Sequence, residues 1–119
     1  MKVRCIKTSI DRPNRYITNC DMDEYLSVGS LFWVYGIRFF KSIVYIYIFD
    51  NEHLFEVPLE LFECLDNKTS NEWKIKVWNA EEVTLWPDLF YEDGFFENFS
   101  EREVEERNEF ATLRIAMEQ

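Results

Sequence analysis

Apolar and polar positions fall into blocks along this chain, and the rhythm within each block predicts an element. Val3, Cys5 and Ile6 suit a short opening strand. TSIDRPNRYITNCDMDEY, from Thr8 to Tyr25, carries Pro13, several Asn and Asp residues and little periodicity, so it reads as a long polar loop. Val28-Gly29-Ser30 is a turn-like entry to Leu31–Tyr35, which is β-branched or aromatic almost throughout and predicts a strand. Gly36 interrupts that run as a bulge or bend. Ser42 to Phe49 is nearly all Ile, Val, Tyr and Phe, the composition of a strand covered on both faces. DNEH is a turn, and Leu54, Phe55 and Val57 form a short returning strand that Pro58 stops. PLELFECLD predicts a turn of helix and then another short strand, and NKTSN a loop. In WKIKVWN, Trp73, Ile75 and Val77 alternate with Lys74, Lys76 and Trp78, the pattern of a half-buried strand. EEVTLWP pairs with it as a hairpin across Asn79 to Glu81.

After Pro87 the rhythm changes. Asp88 to Tyr91 and Phe95 to Phe99 read as short helical turns separated at Gly94. Ser100 then has the character of an N-cap, with Glu103 three residues on as a capping box. Phe99 and Val104 are placed as a hydrophobic staple. Acids in the first turns and Arg114 near the other end suit the helix dipole. Val104, Ala111 and Ile115 share one stripe, with Phe110, Leu113 and Met117 beside it, so the segment predicts an amphipathic helix with an acidic outer face. The expected fold is α+β: an antiparallel twisted sheet, an SH3-like small barrel in the first two-thirds, and a C-terminal amphipathic helix. One domain is expected over 1–119, mainly β over 1–86 and acidic and mainly helical over 87–119.

Composition sharpens this picture at one place. Of 119 residues, 47% are apolar and 21 are Phe, Tyr or Trp, more rings than a core of this size easily hides. The net charge is −10 and uneven: Met1 to Phe49 carries seven Lys/Arg and four Asp/Glu, whereas Glu81 to Glu109 carries eleven acids and two arginines. Direct binding to nucleic acid is therefore disfavoured, and attraction of a basic partner is favoured. DLFYEDGFFENFSEREVEERNEF, from Asp88 to Phe110, combines nine carboxylates with six aromatic rings. Rings supply apolar anchors and acids steer a cationic protein, so the expected partner-binding residues are Asp88, Tyr91, Glu92, Asp93, Phe95, Phe96, Glu97, Glu101 and Glu105. Five apolar aromatics between Phe90 and Phe99 are not expected to point one way. The turn from Asp50 to Glu56 is a second candidate face.

Catalytic signals are weak. The lone histidine, His53, lies in a turn beside Asp50 and Glu52. Three glycines make no phosphate loop, and Cys5, Cys20 and Cys64 make no CxxC pair, so neither cofactor nor metal is expected. Asp21 to Tyr25 alternates acids as a calcium loop begins, without its Gly or its terminal Glu. Pairs such as Glu52 and Glu56, Glu60 and Glu63, or Glu92 and Asp93 leave a carboxylate-based hydrolase as an alternative. Trp33, Tyr35 and Trp78 leave a peptide-binding adaptor as another. No apolar run is long enough to span a bilayer and no signal peptide is evident, so a cytoplasmic location is expected. The oligomeric state stays open.

YLSVGSLFWVYGI followed by PLELFECLD resembles a pattern in small acidic bacterial proteins: Leu-Thr-Val-Gly-Lys-x-Tyr-x-Val-Tyr-Gly-Ile, then Pro-x-x-Leu-Phe-Glu, an Asp and a strand containing Trp. Such proteins include toxin-neutralising immunity proteins of contact-dependent growth inhibition systems. The resemblance runs from Tyr25 to Trp78 and departs at Ser30, where the pattern has Lys, and at Phe32, where it has Tyr. The matching residues are structural in character: a glycine turn, core aromatics and a proline stop. The resemblance implies a non-catalytic cytoplasmic protein whose partner is a basic toxin, in the first instance a nuclease domain. It carries over no toxin-contacting residue.

Overall fold

A computed structural model describes residues 1–10 and 20–119. The fold is α+β, with antiparallel sheets of three and five strands and a C-terminal helix. In chain order the strands are β1 (Lys2–Cys5), β2 (Ser9–Ile10), β3 (Cys20–Asp21), β4 (Leu31–Trp33), β5 (Gly36–Phe40), β6 (Ile43–Phe49), β7 (Leu54–Pro58), β8 (Phe62–Cys64), β9 (Trp73–Asn79) and β10 (Glu82–Pro87). A 3₁₀ turn, Leu59–Leu61, precedes β8, and another, Asp88–Tyr91, follows β10. The helices are α1 (Phe95–Ser100) and α2 (Val104–Met117). The large sheet has the order β7-β6-β5-β10-β9, and the small one β4-β1-β8. Half of the long loop expected from Thr8 to Tyr25, residues 11–19, lies outside the described residues, and at its margins β2 pairs with β3. The strands lie in separate sheets, and no closed barrel is found among the described residues.

β6 explains the layering. Its Ile46 and Ile48 join Val3, Cys5, Ile37, Val57 and Leu61 in one core between the two sheets. Its Tyr47 and Phe49 join Phe90, Phe95, Phe99 and Phe110 in a second core under the helices. Alternate strand residues face opposite ways, so an inner, wholly apolar strand paired on both sides serves both cores. The expectation of a strand covered on both faces is met. Gly36 has a different role from the expected bulge: the chain leaves the small sheet after Trp33 and enters the large one at Gly36. A Cβ there would lie 3.0 Å from Trp86 Cδ1 and 3.2 Å from both Phe90 Cε2 and Tyr47 Cδ2. A residue without a side chain lets the second core close over that strand with no shift of these rings.

Two expectations for the C-terminal region are corrected. Ser100 is not the N-cap of the long helix. It ends α1, and its Oγ donates to the Glu97 carbonyl at 2.7 Å. Arg102 has φ 63, which breaks the helix, and Glu103 in extended conformation begins the next one. The staple is also absent: Val104 is 71% exposed. The buried side of α2 is Phe110 and Met117, with Leu113 half-buried, while Val104, Ala111 and Ile115 face outward. Two overlapping stripes competed for the core, and the one with Phe110 buries more apolar surface. β9 departs as well: Ile75 and Val77, expected on the covered face of a half-buried strand, are 69% and 67% exposed because β9 is the edge of the large sheet.

Candidate functional site

The acidic region is built outward from the second core. Pro87 ends β10 and starts the 3₁₀ turn, which buries Leu89 and Phe90 and leaves Asp88 exposed. Gly94, at φ 77, turns the chain into α1. This reversal resolves the problem of five clustered rings. Phe90, Phe95 and Phe99 are 2–3% exposed and share one core. Phe95 stacks on Phe90 at 5.5 Å and 22°, and Phe96 on Tyr47 at 5.5 Å and 22°. Phe95 is therefore not a surface anchor, which corrects that expectation. Phe96 and Tyr91 are half-buried and form the rim of the core.

Tyr91 is tied down by its hydroxyl. Trp78 Nε1 donates to Thr84 Oγ1 at 3.0 Å, and Thr84 Oγ1 and Tyr91 Oη lie 2.8 Å apart. Tyr91 Oη donates to the Lys74 carbonyl at 2.8 Å. The allocation that uses every proton runs from Trp78 through Thr84 and Tyr91 to that carbonyl. Thr84 is completely buried, so this chain satisfies a hydroxyl that would otherwise destabilise the sheet.

The carboxylates lie outside the rings. Asp88, Glu92, Asp93, Glu97, Glu101 and Glu105 are all exposed. No ion pair among the described residues involves any of them. The nearby arginines are engaged elsewhere. Arg102 pairs with Glu52. Arg107 donates through Nε (3.1 Å) and Nη2 (2.8 Å) to the Phe99 carbonyl, and through Nη1 to the Glu52 carbonyl at 2.7 Å. The acidic surface is thus not neutralised from within. Glu105, Glu106 and Glu109 have carboxylate oxygens within 4.8 Å of one another. Desolvation, then Glu92, Glu105 and Glu106, pushes the Glu109 carboxyl above its ordinary range.

The second candidate face, Asp50 to Glu56, is largely occupied by internal contacts. Asp50 Oδ1 accepts the amides of Glu52 (2.9 Å) and His53 (2.6 Å). Partial burial pushes Asp50 up, but these amides and the His53 ring hold it below its ordinary value. Glu52 holds the α1–α2 link through Arg102, and its own carboxyl is lowered by that hydrogen bond. Glu56 accepts from Arg38 Nη2 (2.7 Å) and Nε (2.9 Å) and from the Tyr47 hydroxyl. Arg38 also reaches Glu82 at 3.0 Å. His53 Nδ1 lies 3.3 Å from Asp50 Oδ2, and its ring packs on Phe55 at 5.3 Å.

Sequence reasoning missed Arg38 as a hub, although a lone arginine in an apolar meander invites a carboxylate partner. Of the rings considered for peptide binding, Tyr35 is 2% exposed and donates to Glu118 at 2.9 Å. Trp33 is half-buried, and only Trp78 is well exposed, at 45%. No helix among the described residues is long and apolar enough to cross a membrane. No family model, curated protein or solved structure matches this chain.

Proposed function

We propose that this chain is an immunity protein that binds and neutralises a basic bacterial toxin, in the first instance a nuclease, by covering its active cleft with an acidic surface. The observation that carries the reading is the row of exposed, unpaired carboxylates at Asp88, Glu92, Asp93, Glu97, Glu101 and Glu105, beside arginines already bound to Glu52 and to backbone carbonyls. Such a field attracts a cationic protein and can raise its association rate to about 10⁸ M⁻¹s⁻¹ at low salt. No catalysis or cofactor is needed for this role. Tyr91 and Phe96 supply the half-buried rings at the rim. Val104, exposed at the start of α2, takes the apolar place expected of Phe95. An SH3-like scaffold is part of the same reading. It is supported by the path β4, β5, β6, β7, a 3₁₀ turn and β8, with β8 returning to pair with β1.

The test is the quadruple variant D88K/E92K/D93K/E97K. All four side chains are exposed, so the circular dichroism spectrum stays that of the parent. Binding to the toxin encoded beside the gene is expected to vanish, and with it the protection from nuclease activity. Unchanged affinity in the folded variant refutes the placement of the site. A neighbouring gene that encodes no toxin, with no cationic partner recovered at low salt, removes the function itself.

A further inference from the structure

β9 carries a second surface of different chemistry. It is one edge of the five-stranded sheet, and among the described residues no strand pairs with its outer side. In an antiparallel pair every second residue turns its amide and carbonyl away from the partner, so the outer side of β9 presents a row of unpaired backbone groups. Its two faces differ sharply. On one, Ile75 and Val77 are 69% and 67% exposed. The register carries this face inward through Val77, Val83 and Phe39, and through Ile75, Leu85 and Ile37. Phe39 is itself 41% exposed, because the small sheet covers the part of this face nearer β6 and β7. On the other face, Lys74 and Lys76 are exposed and have no ion pair among the described residues. Lys76 lies 3.7 Å from the centre of the Trp78 ring, which props the ammonium at the surface.

We propose that β9 is a strand-addition site for an extended segment of a partner protein in which acidic and aliphatic residues alternate. Backbone hydrogen bonds give such a complex its affinity, and alternate side chains give it specificity. Aliphatic residues of the added strand extend the uncovered apolar face over Ile75 and Val77. Its carboxylates stand opposite Lys74 and Lys76. A second copy of this chain fits poorly, because the one antiparallel register that overlaps all of β9, with Trp73 opposite Asn79, sets Lys76 against Lys76, and like charges directly opposed across strands repel. This surface adjoins the acidic one at Tyr91, whose hydroxyl is bonded to the Lys74 carbonyl and whose ring centre lies 6.0 Å from the Lys76 ammonium, but its chemistry is different and it does not depend on the function proposed for the acidic side chains.

The experiment is an NMR titration of the ¹⁵N-labelled full chain. One probe is an end-capped peptide of sequence Ser-Glu-Val-Glu-Ile-Glu-Val-Ser, and the other is its counterpart with Lys for Glu. The acidic peptide is expected to shift the amides of Trp73 to Asn79 and to slow their hydrogen exchange, with at least tenfold tighter binding than the lysine peptide. In K74E/K76E, which changes only exposed side chains, that preference inverts. The proposal is overturned if the β9 amides do not respond, if both peptides act alike, or if the same amides shift with protein concentration alone, which makes a second copy the occupant.

Discussion

Gly36 shows how much one missing side chain can decide. It is the point where the chain passes from one sheet to the other, and three rings close over it so tightly that a methyl group would need them to shift by a few tenths of an ångström. Gly36→Ala is expected to cost about 1–3 kcal/mol by overpacking, read as a lower urea midpoint with an unchanged slope. A variant as stable as the parent would mean that the second core yields at no cost. Arg107 works by the same logic with the opposite chemistry. Its planar fork satisfies the Phe99 carbonyl at the end of α1 and reaches the Glu52 carbonyl across the turn. Neither role is visible in the local sequence, because each depends on groups distant along the chain.

At the scale of elements, α2 is the informative case. Its composition predicts a helix, its acids cluster in the first turn and Arg114 lies in the last, all as the dipole favours. Which side it buries is a separate question, since Val104, Ala111 and Ile115 form as regular a stripe as Phe110, Leu113 and Met117. The structure buries the second stripe. Phe110→Ala should therefore cost about 3–5 kcal/mol, whereas Val104→Ala and Ile115→Ala stay within about 0.5 kcal/mol. Thermal melts of the three variants check this, and comparable losses in all three would place the wrong face inward. β9 is the parallel case among strands. Its alternation is real, but alternation reports a difference between two faces and not which of them is covered.

At the scale of the molecule, the charge asymmetry works against the fold that displays it. Desolvation, and then repulsion from the carboxylates gathered around Glu109, raises its pKa above the ordinary 4.5. A raised acid pKa means that ionisation is disfavoured in the folded state, so the ionised group lowers stability above its folded pKa. That loss fades as pH falls and is gone below 4.5. Asp50 and Glu52, whose pKa values are lowered, have the opposite sign: they stabilise above the ordinary carboxylate range and lose that contribution as pH falls through it. Glu109→Gln is expected to raise the melting temperature at pH 7 and low salt. The part of the gain due to repulsion should be lost in about 0.5 M NaCl, where charges are screened, while the part due to desolvation remains; the whole gain should disappear below about pH 4.5. A gain that persists in acid would assign the effect to packing.

Local chemistry was enough to specify the α+β class, the apolar inner strand β6, the 3₁₀ turn at Pro58, the β9–β10 hairpin and the acidic character of the C-terminal third. These follow from short-range steric preference, side-chain periodicity and charge, which each segment carries with it. Long-range packing settled the rest. It drew Phe90, Phe95 and Phe99 into one core by reversing the chain at Gly94, and so removed Phe95 from the surface. It chose the buried stripe of α2, left Ile75 and Val77 uncovered at a sheet edge, and bound Glu52 to Arg102 so that the row from Asp88 to Glu105 keeps its charge. Each of these outcomes depends on which apolar surface finds a partner first and largest, a competition among segments that no single segment records.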